Sequence, residues 1–158
     1  MSPDDLRLQL AYSGWASRKL LSAVLALNEE DQRRDVGCSH KSLLGTLEHI
    51  FRGDRIWFAR TVDPRAEEID GPLDIAWPKL QARWEGWASG LSHQDILRSI
   101  DYKAMNGDPH RTPIWQIVMH VVNHATLHRG QVMAMLRQLN VQPPPTDLIY
   151  YYREFKVK

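Results

Sequence analysis

HVVNHATLHRGQV, residues His120 to Val132, decides how this chain is read. Ile117, Val121, His124, His128, Val132, Met135 and Leu139 recur through and around it at steps of three and four, which marks one face of an amphipathic helix. His124 and His128 interrupt that apolar stripe and so point inward with it, while His120 stands one step off. Side chains four residues apart on a helix project the same way, about 6 Å apart along the axis, a spacing that can present two imidazoles to one metal ion. His120 and His128 are roughly 12 Å apart along a straight helix. The run therefore offers two ligands to one ion, and a third must come from another segment. The plain alternative is a buried histidine satisfied by a hydrogen bond.

Working outward, Thr112-Pro113 opens this helix and Pro143-Pro144-Pro145 blocks its continuation beyond about Asn140. Thr146-Asp147 could cap a short C-terminal helix to Phe155, with Leu148, Tyr151 and Tyr152 to bury. Upstream, Asn106-Gly107 is a tight-turn dipeptide, and the stretch from Ile96 to Thr112 reads as a short β-hairpin. Ser2-Pro3-Asp4-Asp5 starts a first helix that runs to about Asn28 on Leu6, Leu10, Trp15, Leu20, Leu21 and Val24. Glu29 to His40 is polar, contains Gly37 and reads as a long loop; Ser39 or Ser42 then caps a second helix, ended near Thr61 by Asp63-Pro64. A third helix spans about Leu73 to Gly90, and Pro78 either falls in the first turn of a helix starting near Trp77 or kinks a longer one. Four long amphipathic helices, a hairpin before the fourth and a short terminal helix predict an all-α four-helix bundle, with residues 1–158 as a single domain.

The net charge is +1 with lysine and arginine scattered along the chain, which gives little electrostatic reason to bind nucleic acid or an anionic membrane. Cys38 is the sole cysteine, so an intrachain disulfide is excluded and a cytoplasmic setting is expected. The start, MSPDDLRLQL, has neither the basic nor the apolar region of a signal peptide. No apolar run approaches the ~20 residues of a membrane span.

For the third ligand, His49 is the only histidine inside the other long helices: His40 precedes the second, His93 follows the third, and His110 belongs to the segment before the fourth. Gly45 and Gly53 lie four residues to either side of His49, on the same side of the helix. A glycine in a helix interior costs about 1 kcal/mol relative to alanine, so the pair implies either close helix packing or space kept for a ligand. Three neutral imidazoles would leave a tetrahedral ion one open position, as in catalytic zinc sites. Such an ion lowers the pKa of bound water or stabilises a thiolate or oxyanion. No G-x-S-x-G, P-loop, C-x-x-C or Glu-x-x-His pattern offers other chemistry, and the acidic pairs Glu29-Glu30 and Glu67-Glu68 fall in loops.

TLEHIFRGDRIWFAR (Thr46 to Arg60), HVVNHATLHRGQV (His120 to Val132) and PPTDLIYYYRE (Pro144 to Glu154) resemble the DinB family of bacterial metal-binding four-helix proteins, and LAYSGWAS (Leu10 to Ser17) resembles its helix-one signature more loosely. The similarity covers essentially the whole chain. It implies an up-down-down-up bundle, frequent homodimers, and a divalent transition metal, nickel or zinc foremost and iron after them. By resemblance His49, His124 and His128 match the family's three metal ligands, which decides against His120 as a primary ligand where spacing alone could not. Characterised relatives include thiol-dependent S-transferases and a thiol-dependent isomerase. The chain departs from the pattern at Leu127, where related proteins often carry histidine, and at Ser13 and Ser17, where they often carry asparagine.

The resulting expectation is a metal-dependent enzyme acting on a small electrophile with a thiol or water, S-transferase-like or hydrolase-like. The alternative is a non-catalytic, stress-associated protein that binds metal or a small molecule. His120 and Arg129 are the candidate catalytic side chains: His120 as a proton acceptor or a hydrogen-bond partner of a ligand, Arg129 as a contact to an anionic substrate or a salt bridge across a dimer. Tyr12, Trp15 and Trp57 either line the pocket or, as the favoured reading has it, pack the core. Asp54, about 140° around the helix from His49, is expected to pair with an arginine or to sit at an interface.

Overall fold

The computed structural model describes residues 1–157. Ser2 caps helix α1 (Pro3–Leu25), its side chain accepting from Asp5 N while the Asp5 carboxylate accepts from Ser2 N, so two orphan amides of the first turn are satisfied. Of the two candidate caps for the second long helix, Ser42 is used: its hydroxyl accepts from Gly45 N at 3.0 Å and opens α3 (Leu43–Thr61). Between them the expected polar loop contains a short helix, α2 (Glu29–Arg33), capped by Asn28. None of its residues is buried, which is why no apolar period announced it. Asp63-Pro64 ends α3 as expected, and Asp63 then caps a single 3₁₀ turn, Pro64–Glu68.

Helix α4 (Leu73–Ser89) takes the longer of the two courses, with Pro78 inside it. A proline there gives up one backbone hydrogen bond, and the burial of Ala76, Trp77, Leu80 and Trp84 around it holds the helix nonetheless. The hairpin is present but shorter than read. Ile96 belongs to a five-residue helix, α5 (His93–Leu97), and is fully buried; pairing runs only from Ser99↔Pro113 to Lys103↔Pro109 between β1 (Ser99–Lys103) and β2 (Pro109–Pro113). Gly107 takes the tip with φ +91°, a conformation that favours glycine. Helix α6 (Ile114–Gln138) begins at the residue after β2 ends, and α7 (Leu148–Phe155) closes the described chain.

Cross-helix contacts give the direction of each long helix. Arg7 bonds the carbonyl of Ala88 and Arg18 bonds Gln81, so α1 and α4 are antiparallel. Phe51 faces Trp77 and Phe58 faces Trp84, so α3 and α4 are parallel. Cys38 near Met135, His49 at His124 and Trp57 at His120 make α3 and α6 antiparallel. The result is the up-down-down-up order, with α1 and α3 on one diagonal and α4 and α6 on the other. The core runs through all four, from Leu6, Leu20 and Val24 through Leu47, Ile50 and Phe58 to Trp77, Leu80, Val118 and Leu136. Burying one such side chain contributes about 1.5–3 kcal/mol. No helix among the described residues is long and apolar enough to cross a membrane.

Candidate metal centre

Four imidazoles converge where α3 crosses α6. His124 and His128, one turn apart on α6, have ring centroids 4.6 Å apart. From α3, His49 meets both: its Nε2 lies 3.0 Å from His124 Nε2, and its ring is 4.5 Å from that of His128. The fourth ring is His40, stacked on His49 at 3.7 Å and 5.1 Å from His128. Ring nitrogens of His40, His49 and His128 all lie within 4.8 Å of one another. His40 falls outside every helix, so the helical period does not mark it as a ligand.

The turn before α3 explains its position. Val36 N donates to Lys41 O and Lys41 N to Cys38 O, and Lys41 adopts a left-handed φ of +66°. This folds the segment back onto the first turn of α3. Gly45 is what lets it land: a Cβ there would collide with the carbonyl oxygen of His40. Gly53 does the same for α6, since a Cβ would sit 2.9 Å from His124 Cε1. The two glycines flanking His49 are therefore seats for two other histidines. Gly45 was the signal in the sequence that could have found His40.

The electrostatics disfavour protonation of His40, His49 and His124. Burial, reinforced by the neighbouring His40 and His128, lowers the pKa of His49 to about 4. Burial, then His128 and His49, lowers His124 to about 4 as well. Burial and His128 also lower His40. His128 is 8% exposed; its Nδ1 donates to Gln131 Oε1 at 2.8 Å, which leaves the Nε2 lone pair free. The donor set thus fits a divalent transition metal: imidazoles from two helices and a turn, three of them held below the ordinary histidine pKa, with one facing pair near the roughly 3.4 Å that separates two nitrogens on a tetrahedral ion.

The other candidates fall elsewhere. His120 is exposed on the flank, its ring 5.9 Å from His124 and edge-on to Trp57 at 5.2 Å. Arg129 is 2% exposed and turned into the bundle, where it donates to Ser13 O, Ser13 Oγ, Ser17 Oγ and Thr126 Oγ1 and lies over the Tyr12 ring. Its guanidinium thus faces the protein interior, held by the two helix-one serines. Tyr12 and Trp15 pack in the core against Tyr151, while Trp57 borders the site. Asp54 is buried, and Trp77 Nε1 donates to its Oδ2 at 3.0 Å. Leu127 is 64% exposed, turned away from the cluster. His93 starts α5, and His110 stacks on Tyr102 in the hairpin.

An up-down-down-up bundle carrying a histidine cluster between its second and fourth long helices defines a class of small helical metal-site proteins. The sequence model of the DinB family matches residues 1–154, and the chain belongs to that family. It is similar to the protein named "Protein DinB" of Bacillus subtilis (strain 168), with 23% identity over an alignment 156 positions long that covers 89% of each chain.

Proposed function

We propose that His49, His124 and His128 hold one divalent transition metal, nickel or zinc before iron, and that the site activates a thiol or water against a small electrophile in an S-transferase-like reaction. The observation that carries this reading is the convergence of imidazoles on the α3–α6 crossing, with His49 and His124 facing each other at 3.0 Å. The metal, when bound, supplies a Lewis acid that keeps a coordinated thiol or water deprotonated near pH 7. The chain does the rest. Gln131 holds His128 in one tautomer. Gly53 lets His124 approach His49. His120, exposed and 5.9 Å from His124, is placed to accept a proton at the rim.

A second ligand set has its own support, since His40, His49 and His128 are mutually within 4.8 Å. The two sets share His49 and His128 and differ in His124 against His40. Metal content of protein purified without an affinity tag separates them. Under the proposal, His49→Ala, His124→Ala and His128→Ala each lose the stoichiometric metal, and His40→Ala, His93→Ala and His110→Ala keep it. Metal retained in His124→Ala and lost in His40→Ala establishes the other set. Activity is then read by offering nickel-, zinc- and iron-loaded protein bacterial thiols with small electrophiles. Turnover above that of the free metal supports the transferase reading; none with any metal makes the site a binding centre.

A further inference from the structure

The stripe of α3 that carries His49 continues past the histidine cluster. Gly53, Trp57 and Arg60 follow it at steps of four, four and three, so all four share one face of the helix. Beyond Gly53 this face forms the floor of a groove of about 320 Å³ whose opposite wall is the hairpin, with Tyr102, Met105 and His110. Trp57 and Tyr102 stand edge to face at 5.0 Å. The Arg60 guanidinium lies against both rings, 5.2 Å from the centroid of Trp57 and 5.5 Å from that of Tyr102. Its hydrogen-bond partner among the described residues is Met105 Sδ at 4.0 Å. Among the described residues no carboxylate lies within ion-pair distance of it.

Two aromatic rings thus hold a charged group with its donors unmatched. Stacking fixes the plane of a guanidinium while leaving its N–H fork open, the arrangement suited to a carboxylate. The other end of the groove is Gly53, whose bare backbone lies against His124. At 1.5 Å per residue, Gly53 and Arg60 are roughly 10 Å apart along the axis. A flat apolar body of one or two rings fills that distance.

We propose that this groove binds a small carboxylic acid with a flat, apolar body, its carboxylate on Arg60, its body lying against the Trp57 and Tyr102 rings, and its far end over Gly53 beside the imidazole cluster. This deepens the enzyme reading and rests on it for the statement that the far end is where reaction occurs. Binding itself does not require the metal, and that separates the two claims.

The test uses 2-naphthoate and its neutral counterpart 2-naphthamide as probes, titrated into the full-length protein and followed by ¹H–¹⁵N spectra. The expected result is saturable binding of 2-naphthoate that shifts the Gly53 amide and the Trp57 indole N–H. Arg60→Ala and Arg60→Gln should weaken it tenfold or more without changing 2-naphthamide binding, and Arg60→Lys should recover part of the loss. Trp57→Ala should weaken both probes. Metal content and the remaining spectrum of the Arg60 variants should match wild type, which shows that the fold and the centre are intact. Equal 2-naphthoate affinity in Arg60→Ala and wild type, or shifts confined to another face, overturns the groove. If 2-naphthoate binding persists in metal-free His49→Ala protein, the groove stands whatever the metal-loaded protein does with thiols. If S-transfer occurs but Arg60→Ala leaves KM for acidic and neutral electrophiles alike, the groove fails and the enzyme reading survives.

Discussion

Asp54 is the residue at which burial and charge conflict most. One carboxylate oxygen accepts a hydrogen bond from the Trp77 indole N–H and the other is buried with no protein partner. Burial pushes its pKa up to about 7, against the opposing pull of the Trp77 hydrogen bond and the Arg129 charge. Since the folded value lies above the ordinary 3.8, the folded chain keeps a proton that the unfolded chain has released between those two pH values. Stability from this group is complete at acid pH and declines as pH rises through about 7. Asp54→Asn keeps an acceptor for Trp77 and removes the titration. Its stability relative to wild type, from urea unfolding of metal-free protein, should therefore rise between pH 5 and 8, by at most roughly 3 kcal/mol. A pH-independent difference would show that the carboxylate is already ionised in the fold. The inward face of Asp54 was only partly legible: its angle from His49 could be read from the helix period, but its partner Trp77 lies on another helix.

At the scale of elements, what the sequence disclosed follows from what each signal measures. Ser2 and Ser42 cap helices because capping is a contact within three residues, which a sequence displays directly. Helix α2 and the 3₁₀ turn after α3 bury at most one residue each, so they leave no apolar period. His40 reaches the cluster through a fold-back of the segment before α3, whose one local trace is Gly45, and a glycine alone does not say what lands on it. The α3–α6 crossing gives a sharp test of what the glycines do. An alanine at Gly53 would ordinarily stabilise a helix by about 1 kcal/mol. Here its Cβ would stand 2.9 Å from His124 Cε1, so the ring must swing away from His49. Gly53→Ala is expected to match or exceed wild type in thermal stability when metal-free, yet to bind metal at least tenfold more weakly in a chelator competition. Unchanged metal affinity would mean that His124 moves without loss, or is not a ligand.

Over the whole molecule, a metal at the α3–α6 crossing would join the turn and helix of the chain's first half to a helix of its second. A ligand held only by the folded state stabilises it by about 2.7 kcal/mol at a hundred times its dissociation constant. Loading should raise the melting temperature of wild type and not of His49→Ala. The histidines' contribution to the pH dependence of the metal-free form has a definite sign, opposite to that of Asp54. His49 and His124 have folded values near 4, below the ordinary 6.5, so the unfolded chain takes up protons first as pH falls. These groups remove stability between about pH 6.5 and 4. Bound metal should leave in the same interval, because a protonated imidazole has no lone pair to give. Melting temperatures of loaded and stripped protein across that range check both statements; parallel curves down to pH 4 would contradict them. The seam between β2 and α6 adds one more consequence. No connecting residue separates Pro113 from Ile114, and the amide of Ile114 is tied back to Arg98 O at 2.9 Å. The hairpin is thus an extension of the same rod that bears His120, His124 and His128. Substitutions near its tip can reshape what the groove accepts, with no hinge between them to absorb the change before it is felt at the imidazoles.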